Sequence, residues 1–283
     1  MNSIISYPDR GTWGNAKWRG NCSGHVIKDL LEHYKPKLFV EVFSGGGTGE
    51  DVAKEIGIKS IHLDLVNGWD ALVDEMPQMS DFAFSHPPYF DIIDYNTQRG
   101  SFHENDLSNK VSYEQFIKNL DIVNQKIYNS LVNGGRHAFL CGDVRKKGKY
   151  YSIIKDMAWF GNIESHIIKT QHNCVSSSTQ YSGNFIPIVH EHLLIFRKDS
   201  LWFVPIKVTK TIEQDIREQK RASWRELLWA FLSGTKGASI EDITEYARNL
   251  PRAADNNFIR DKVRQTLNAG GFLKNERGLW LVA

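Results

Sequence analysis

The chain is short of the features that would place it in several large protein classes. Its three cysteines, Cys22, Cys141 and Cys174, are odd in number and far apart, which excludes a disulfide framework and fits reduced thiols. No apolar run approaches the ~20 residues of a membrane-spanning helix, so no membrane partner is expected. Residues 1–9 lack the basic segment followed by an apolar one that marks a secretory signal, and a cytoplasmic location is expected. Thirty-five Lys and Arg against 33 Asp and Glu leave a net charge of only +2. A nucleic-acid partner would therefore be met by local basic patches and not by a global field. Histidines 86, 103, 137, 166, 172, 190 and 192 show no compact metal-ligand spacing. His190 and His192 would share one strand face, where pairing or packing is the expected role, so no metal is assigned.

What is present is ordinary in bulk and informative in places. At 283 residues, 41% hydrophobic and 24% charged, the chain suits one large domain and one small one. Lys37–Val42 is an apolar run that enters Ser44-Gly45-Gly46-Gly47-Thr48-Gly49, and Glu50–Ile56 has helical character. The order is strand, glycine turn, helix. Further strands are expected at Lys59–Leu65, Asp81–Ser85 and Arg136–Gly142, with a helix over Tyr113–Leu131 and a turn at Asn133-Gly134-Gly135. This alternation predicts an α/β fold with a doubly wound, mostly parallel sheet. Ile186–Arg197 is β-rich with no helix before it, which predicts an antiparallel edge hairpin.

The pattern turns polar between Asp199 and Arg221, which divides the chain into a domain at 1–200, a linker at 201–222 and a second domain at 223–283. In the last of these, Ser223 is placed to cap Trp224–Leu232, Ser239 to cap Ile240–Leu250, and Asn256 or Asn257 to cap Phe258–Asn268. Phe272–Val282, with a turn at Asn275–Gly278, completes the outline of a winged helix-turn-helix.

Two segments carry chemistry. A glycine turn after the first strand of a doubly wound sheet is where a nucleotide-like ligand approaches the backbone. This one lacks the Gly-Lys-Ser/Thr ending of a phosphate-binding loop and the Gly-x-Gly-x-x-Gly spacing of dinucleotide folds. Asp64, one βα unit later, can accept hydrogen bonds from two ribose hydroxyls, so an adenosyl group without a phosphate requirement fits. His86-Pro87-Pro88-Tyr89 follows a strand directly. Its prolines stiffen the turn and leave carbonyl oxygens free, and rigid acceptors are what an exocyclic amine needs if its lone pair is to leave ring conjugation. Tyr89 can stack on a base taken out of the duplex. No proline precedes a cysteine, which argues against the Pro-Cys nucleophile of cytosine-C5 methylation.

Glu41-Val42-Phe43-Ser44-Gly45-Gly46-Gly47-Thr48 and His86–Tyr89 together resemble motif I and the Asp/Asn/Ser-Pro-Pro-Tyr/Phe motif of the DNA amino-methyltransferases. Leu131–Gly135 running to Cys141–Tyr151 and Phe185–Lys198 resemble later segments of that family, and Trp18–His25 sits where its members often carry another cofactor-contacting motif. The resemblance covers roughly residues 10 to 200. It implies S-adenosyl-L-methionine as cofactor, bound by Asn21, Ser23, Glu41, Phe43, Ser44, Gly45, Gly47, Thr48, Asp64 and Ser85, with His86, Pro87, Pro88 and Tyr89 catalytic. Two departures stand out: Glu41 replaces an aspartate, and His86 replaces Asp, Asn or Ser. A neutral imidazole still offers one acceptor nitrogen, whereas a protonated one would repel an amino group.

Double-stranded DNA is the implied partner, in a prophage or restriction-modification setting. Arg145, Lys146, Lys147 and Lys149, and Arg260, Lys262 and Arg264 on the third tail helix, are the expected contacts. Adenine N6 is the favoured target, and cytosine N4, RNA, a protein glutamine and a non-catalytic DNA-binding regulator remain open.

Overall fold

Residues 39–42 are buried at every position, as a strand covered on both faces must be. They form an interior strand of the first of two units. The computed structural model describes residues 1–172, 184, 186–219, 221–254 and 256–283; Cys174, Phe185 and Lys220 lie outside them. Contacts divide the chain into Met1–Lys210 and Thr211–Ala283.

In the first unit the elements run β1 (Ile4–Ser6), α1 (Gly24–Tyr34), β2 (Phe39–Val42), α2 (Thr48–Ile56), β3 (Ser60–Leu63), β4 (Ser80–Ser85), α3 (Tyr95–Arg99), α4 (Tyr113–Asn129) and β5 (Leu131–Cys141). There follow β6 (Val144–Lys146), β7 (Lys149–Tyr151), α5 (Ile153–Asp156), β8 (Trp159–Phe160), β9 (Asn162–Thr170), β10 (His190–Arg197) and β11 (Ile206–Lys207). Seven strands make the main sheet in the order β1-β9-β10-β5-β4-β2-β3. Neighbours pair in parallel except at β10, which is antiparallel to both β5 and β9. From β2 the chain moves outward to β3 and then crosses to β4 on the other side. That reversal opens a crevice at the carboxyl ends of β2 and β4.

Two apolar layers cover the sheet. One packs Val26, Ile27, Leu30 and Leu31 of α1 and Val52 and Ala53 of α2 against Phe39, Phe82, Phe84, Ala138 and Leu193. The other packs Phe116, Leu120, Val123 and Ile127 of α4 against Val40, Ala83, Phe139 and Leu194.

Two expectations are corrected. The antiparallel strand is not at an edge: Glu191 to Phe196 are buried between β5 and β9, and the edges are β3 and the unforeseen β1. Asn133-Gly134-Gly135 is not a turn that precedes a strand but a bulge within β5, where Leu131 pairs with Ser80 and Arg136 already with Phe82. Gly134, at φ 80°, takes the positive backbone angle the bulge needs. Hydrogen bonds between Gly134, Gly135 and the Lys198 backbone hold it.

In the second unit, helices Trp224–Ser233, Ile240–Arg248 and Ile259–Asn268 are followed by paired strands Phe272–Lys274 and Trp280–Val282. Leu227, Leu228, Ile243, Val263, Leu267 and Phe272 form their own core. Ser223 and Ser239 each close a capping box, with Glu226 and Asp242. Asn256 instead accepts the Phe258 N–H, and the third helix starts without a side-chain cap. Within residues 201–222, β11 pairs with β8, so the first unit continues beyond residue 200. No described helix is long and apolar enough to cross a membrane.

Phe139→Ala, at a fully buried ring on the central strand β5, is expected to cost ~3–5 kcal/mol of stability through lost burial and the cavity left behind. Urea unfolding of the two proteins checks it.

Candidate active site

The crevice at the strand reversal is a cleft of about 760 Å³. Its floor comes from the turn after β2. Phe43, a non-glycine residue at φ 66°, and Gly45, at φ 49°, bend the chain sharply there, a strain that such sites tolerate when the surroundings fix it. Asp64, beyond β3, fastens the bend: its Oδ2 accepts the Gly45 N–H at 2.9 Å and its Oδ1 the Val66 N–H at 2.9 Å. A carboxylate has about four acceptor sites, so each oxygen keeps a lone pair for a ligand. Burial pushes the Asp64 carboxyl above its usual range, against the lowering effect of those two N–H groups.

Glu41 is buried under the first turn of α2, close enough that a Cβ on Gly49 would lie 2.3 Å from its carboxylate. No side chain but glycine's fits that approach. His62 Nδ1 lies 2.7 Å from Glu41 Oε2. Burial raises the Glu41 carboxyl and the nearby Asp64 adds to this, while His62 opposes it. The other wall is an N-terminal loop: Asn21 Oδ1 accepts the Gly46 N–H, and the Asn15 N–H donates to the Gly46 carbonyl. Apolar sides come from Phe43, Leu65, Trp69 and Leu107.

His86-Pro87-Pro88-Tyr89 borders this cleft and a second open cavity of about 890 Å³; His86, Asn21 and Tyr95 line both. Pro88 lines the first, Pro87 and Tyr89 the second. The Tyr89 hydroxyl lies 2.8 Å from His86 Nε2 and donates to Glu191 Oε1 at 2.6 Å. Lys169 Nζ donates to Glu191 Oε2 at 2.6 Å. Burial alone would raise the Glu191 carboxyl, but Lys169, with help from His86 and Tyr89, holds it below its usual range. Burial carries the His86 imidazole down to about 4, so the ring is neutral at ordinary pH. Burial and Glu191 push the Tyr89 phenol well up.

Of the residues expected at the cofactor, Asn21, Glu41, Phe43, Ser44, Gly45, Thr48 and Asp64 line the cleft. Three do not. Ser23 precedes α1 and its hydroxyl turns to the Asp9 carbonyl. Gly47, at φ 80°, serves as the N-cap of α2. Ser85 is fully buried and bonds to His137 Nε2 at 2.7 Å, inside the sheet. Among the basic residues, Lys146 is occupied: it pairs with Asp91 and lies over the Phe90 ring, bracing the segment behind Tyr89. Arg145 and Lys149 lie over the Tyr150 and Tyr151 rings, and Lys147 stands exposed in the β6–β7 turn. In the second unit Arg260 is exposed and pairs with Glu241, Lys262 donates to Gln265, and Arg264 is exposed.

Sequence reasoning missed Glu191 and Lys169. It also missed the buried Arg99–Asp106 pair and the Trp18–Tyr95 stack that line the cleft. The rings of His190 and His192 pack edge to face at 4.9 Å.

No protein-family profile and no curated relative matches the chain. Among solved structures, TrmN from Thermus thermophilus aligns at 13% identity over 64% of this chain and 50% of its own, with a TM-score of 0.34. A proposed DNA modification methylase, also from Thermus thermophilus and solved with S-adenosyl-L-methionine, aligns at 19% identity over 65% and 62%, with a TM-score of 0.30. An O-methyltransferase of a Brevibacillus brevis polyketide multienzyme, in complex with S-adenosyl-L-homocysteine, aligns at 10% identity over 62% and 72%, with a TM-score of 0.37. The chain thus spans between 50% and 62% of the first two, and likenesses this distant carry neither activity nor substrate across.

The depressed imidazoles have a consequence for stability. His86 at about 4 and His137 at about 3 stay neutral where an unfolded chain's histidines, near ~6.5, take up protons. Their contribution is complete above ~6.5 and is lost as pH falls toward those folded values. Urea unfolding at several pH values between ~7.5 and ~4 should show this decline, with a shallower slope in His86→Asn.

Proposed function

We propose that the protein transfers a methyl group from S-adenosylmethionine to the exocyclic amino group of a base in double-stranded DNA, adenine N6 first. The observation that carries this reading is the junction of two cavities at His86: one is built around Asp64 and the glycine turn, the other around Pro87 and Tyr89.

The first cavity suits the cofactor by its donor set. The free lone pairs of Asp64 match a pair of ribose hydroxyls, Phe43, Leu65, Trp69 and Leu107 offer apolar surface to an adenine ring, and Asn21 and Glu41 offer polar groups to an amino acid end. When bound, S-adenosylmethionine would supply an electrophilic methyl carbon on a sulfonium. His86 and the Pro87 carbonyl, which has no hydrogen-bond donor among the described residues, hold the amino N–H bonds and turn the nitrogen lone pair out of the ring. His86 also takes up the proton the nitrogen sheds and passes it to solvent. Tyr89 presents a ring face for a base taken from the duplex.

DNA contact is assigned to Arg145, Lys147 and Lys149 on the β6–β7 hairpin and to the second unit. That unit's three helices and paired strands are read as a winged helix-turn-helix, with Arg260 and Arg264 on the exposed face of its third helix.

Asp64→Asn is expected to weaken cofactor binding by ~1–3 kcal/mol, the cost of losing charged hydrogen bonds to the ribose; calorimetric titration showing parental affinity removes Asp64 from the site. Mass spectrometry of nucleosides from DNA of expressing cells should show N6-methyladenine. N4-methylcytosine instead would change the base, and bound cofactor with no methylated nucleoside would leave a DNA-binding regulator. In single-turnover assays the rate should hold from neutral pH down to near 4, where His86 protonates. His86→Ala should be slower by roughly ten- to a thousand-fold, the range for one preorganised hydrogen bond.

A further inference from the structure

A histidine that must act as an acceptor toward an amino group has two neutral forms, and only one serves. With its proton on the nitrogen facing the amine, donor would meet donor. The residues behind His86 decide which form it takes.

We propose that Glu191 is a positioning residue that fixes the tautomer of His86 through the Tyr89 hydroxyl, leaving His86 Nδ1 as the acceptor for the target amino group. The inference rests on the methyl-transfer reading above for its purpose, but its geometry stands apart from it. A phenol carries one proton. Glu191, ion-paired to Lys169 at 2.6 Å with both side chains largely buried, is an ionised carboxylate and can only accept, so the Tyr89 proton goes to Glu191 Oε1 at 2.6 Å. The Tyr89 oxygen then has only lone pairs to offer His86 Nε2 at 2.8 Å, and Nε2 must carry the imidazole proton. The ring is neutral and holds no second proton, so Nδ1 is a bare lone pair.

No described residue uses that lone pair. Nδ1 has no hydrogen-bond partner among the described residues and is not among the buried unsatisfied atoms, and His86 lines both cavities. The chain Lys169–Glu191–Tyr89–His86 thus runs from β9 across β10 to the turn after β4. It transmits direction, not charge: Glu191 accepts from both sides, Tyr89 and His86 each spend their one proton on the group behind, and the acceptor left over is His86 Nδ1. Tyr89 gains a second duty beside stacking, one that phenylalanine cannot perform.

The test is the tautomer itself, read by long-range proton–nitrogen NMR correlation in ¹⁵N-histidine-labelled full-length protein near neutral pH. His86→Asn identifies the His86 signals. The parent should show Nε2 protonated and Nδ1 bare; a parent with the proton on Nδ1 overturns the proposal whatever the variants do. In Tyr89→Phe the lock is gone and a mixture of tautomers should appear. The double variant Lys169→Met with Glu191→Met removes the buried pair together, so no unpaired charge is left. Its Tyr89 hydroxyl is free to donate to Nε2, and the proton should move to Nδ1. Either variant folded with the parental tautomer also overturns the proposal. In single-turnover methyl transfer Tyr89→Phe should be slower by at least about tenfold with cofactor affinity unchanged, whereas a pure stacking role leaves the rate near parental. A protein with no methyltransferase activity would refute the proposed function and leave the tautomer result standing.

Discussion

A charge buried in a protein has to be paired, because its desolvation is otherwise prohibitive. Glu191 is such a charge, set in β10 at 7% exposure. Its partners come from two directions: Lys169 from the neighbouring strand β9, and Tyr89, with His86 behind it, from the turn after β4. The arrangement works only because β10 lies inside the sheet, antiparallel between β5 and β9. An edge strand would leave Glu191 in water, where it would need no partners and would orient none.

The opposite wall of the crevice follows the same logic with backbone groups. Asp64 gathers two N–H groups and Glu41 sits at the first turn of α2, where the helix dipole favours a negative charge. The bend that Asp64 fastens at Gly45 includes Phe43, at a positive backbone angle, whose own N–H donates to the Leu63 carbonyl. Across the crevice, the Lys146–Asp91 pair sits beside Phe90, which is also at positive φ. Both bends lie just after strands β2 and β4, beside the crevice, and polar contacts accompany both.

The parts of this arrangement visible in the sequence are those with local causes. The apolar run 37–42, the glycines after it, the Pro-Pro pair and the serine caps of the last unit each act within a few residues, and their elements stand close to where the pattern puts them. What escaped detection depends on partners far along the chain. Glu191 reads as one polar residue in a β-rich stretch until Lys169 and Tyr89 are known to lie beside it. Whether that stretch sits at an edge or in the interior turns on β9, which pairs along its far side; the edge itself is β1, three residues long and some 160 positions from its partner. Ser85 belongs to the expected motif in sequence, yet strand alternation sends its side chain into the sheet, to His137. Lys146 reads in sequence only as one member of a basic run, because its partner, Asp91, comes from another loop.

The pairing of β1 with β9 sets an order of events. Ile4 lies opposite Ile168, so β1 leaves the ribosome well before the strand it joins exists. Contacts this distant in sequence close slowly. The earliest of these strands to be made is therefore among the last to be placed, and until it docks, β9 exposes a row of unpaired backbone groups. Nascent chains held close together on one message are exposed at that edge to exchange of their leading strands, and the seal on it is three residues long.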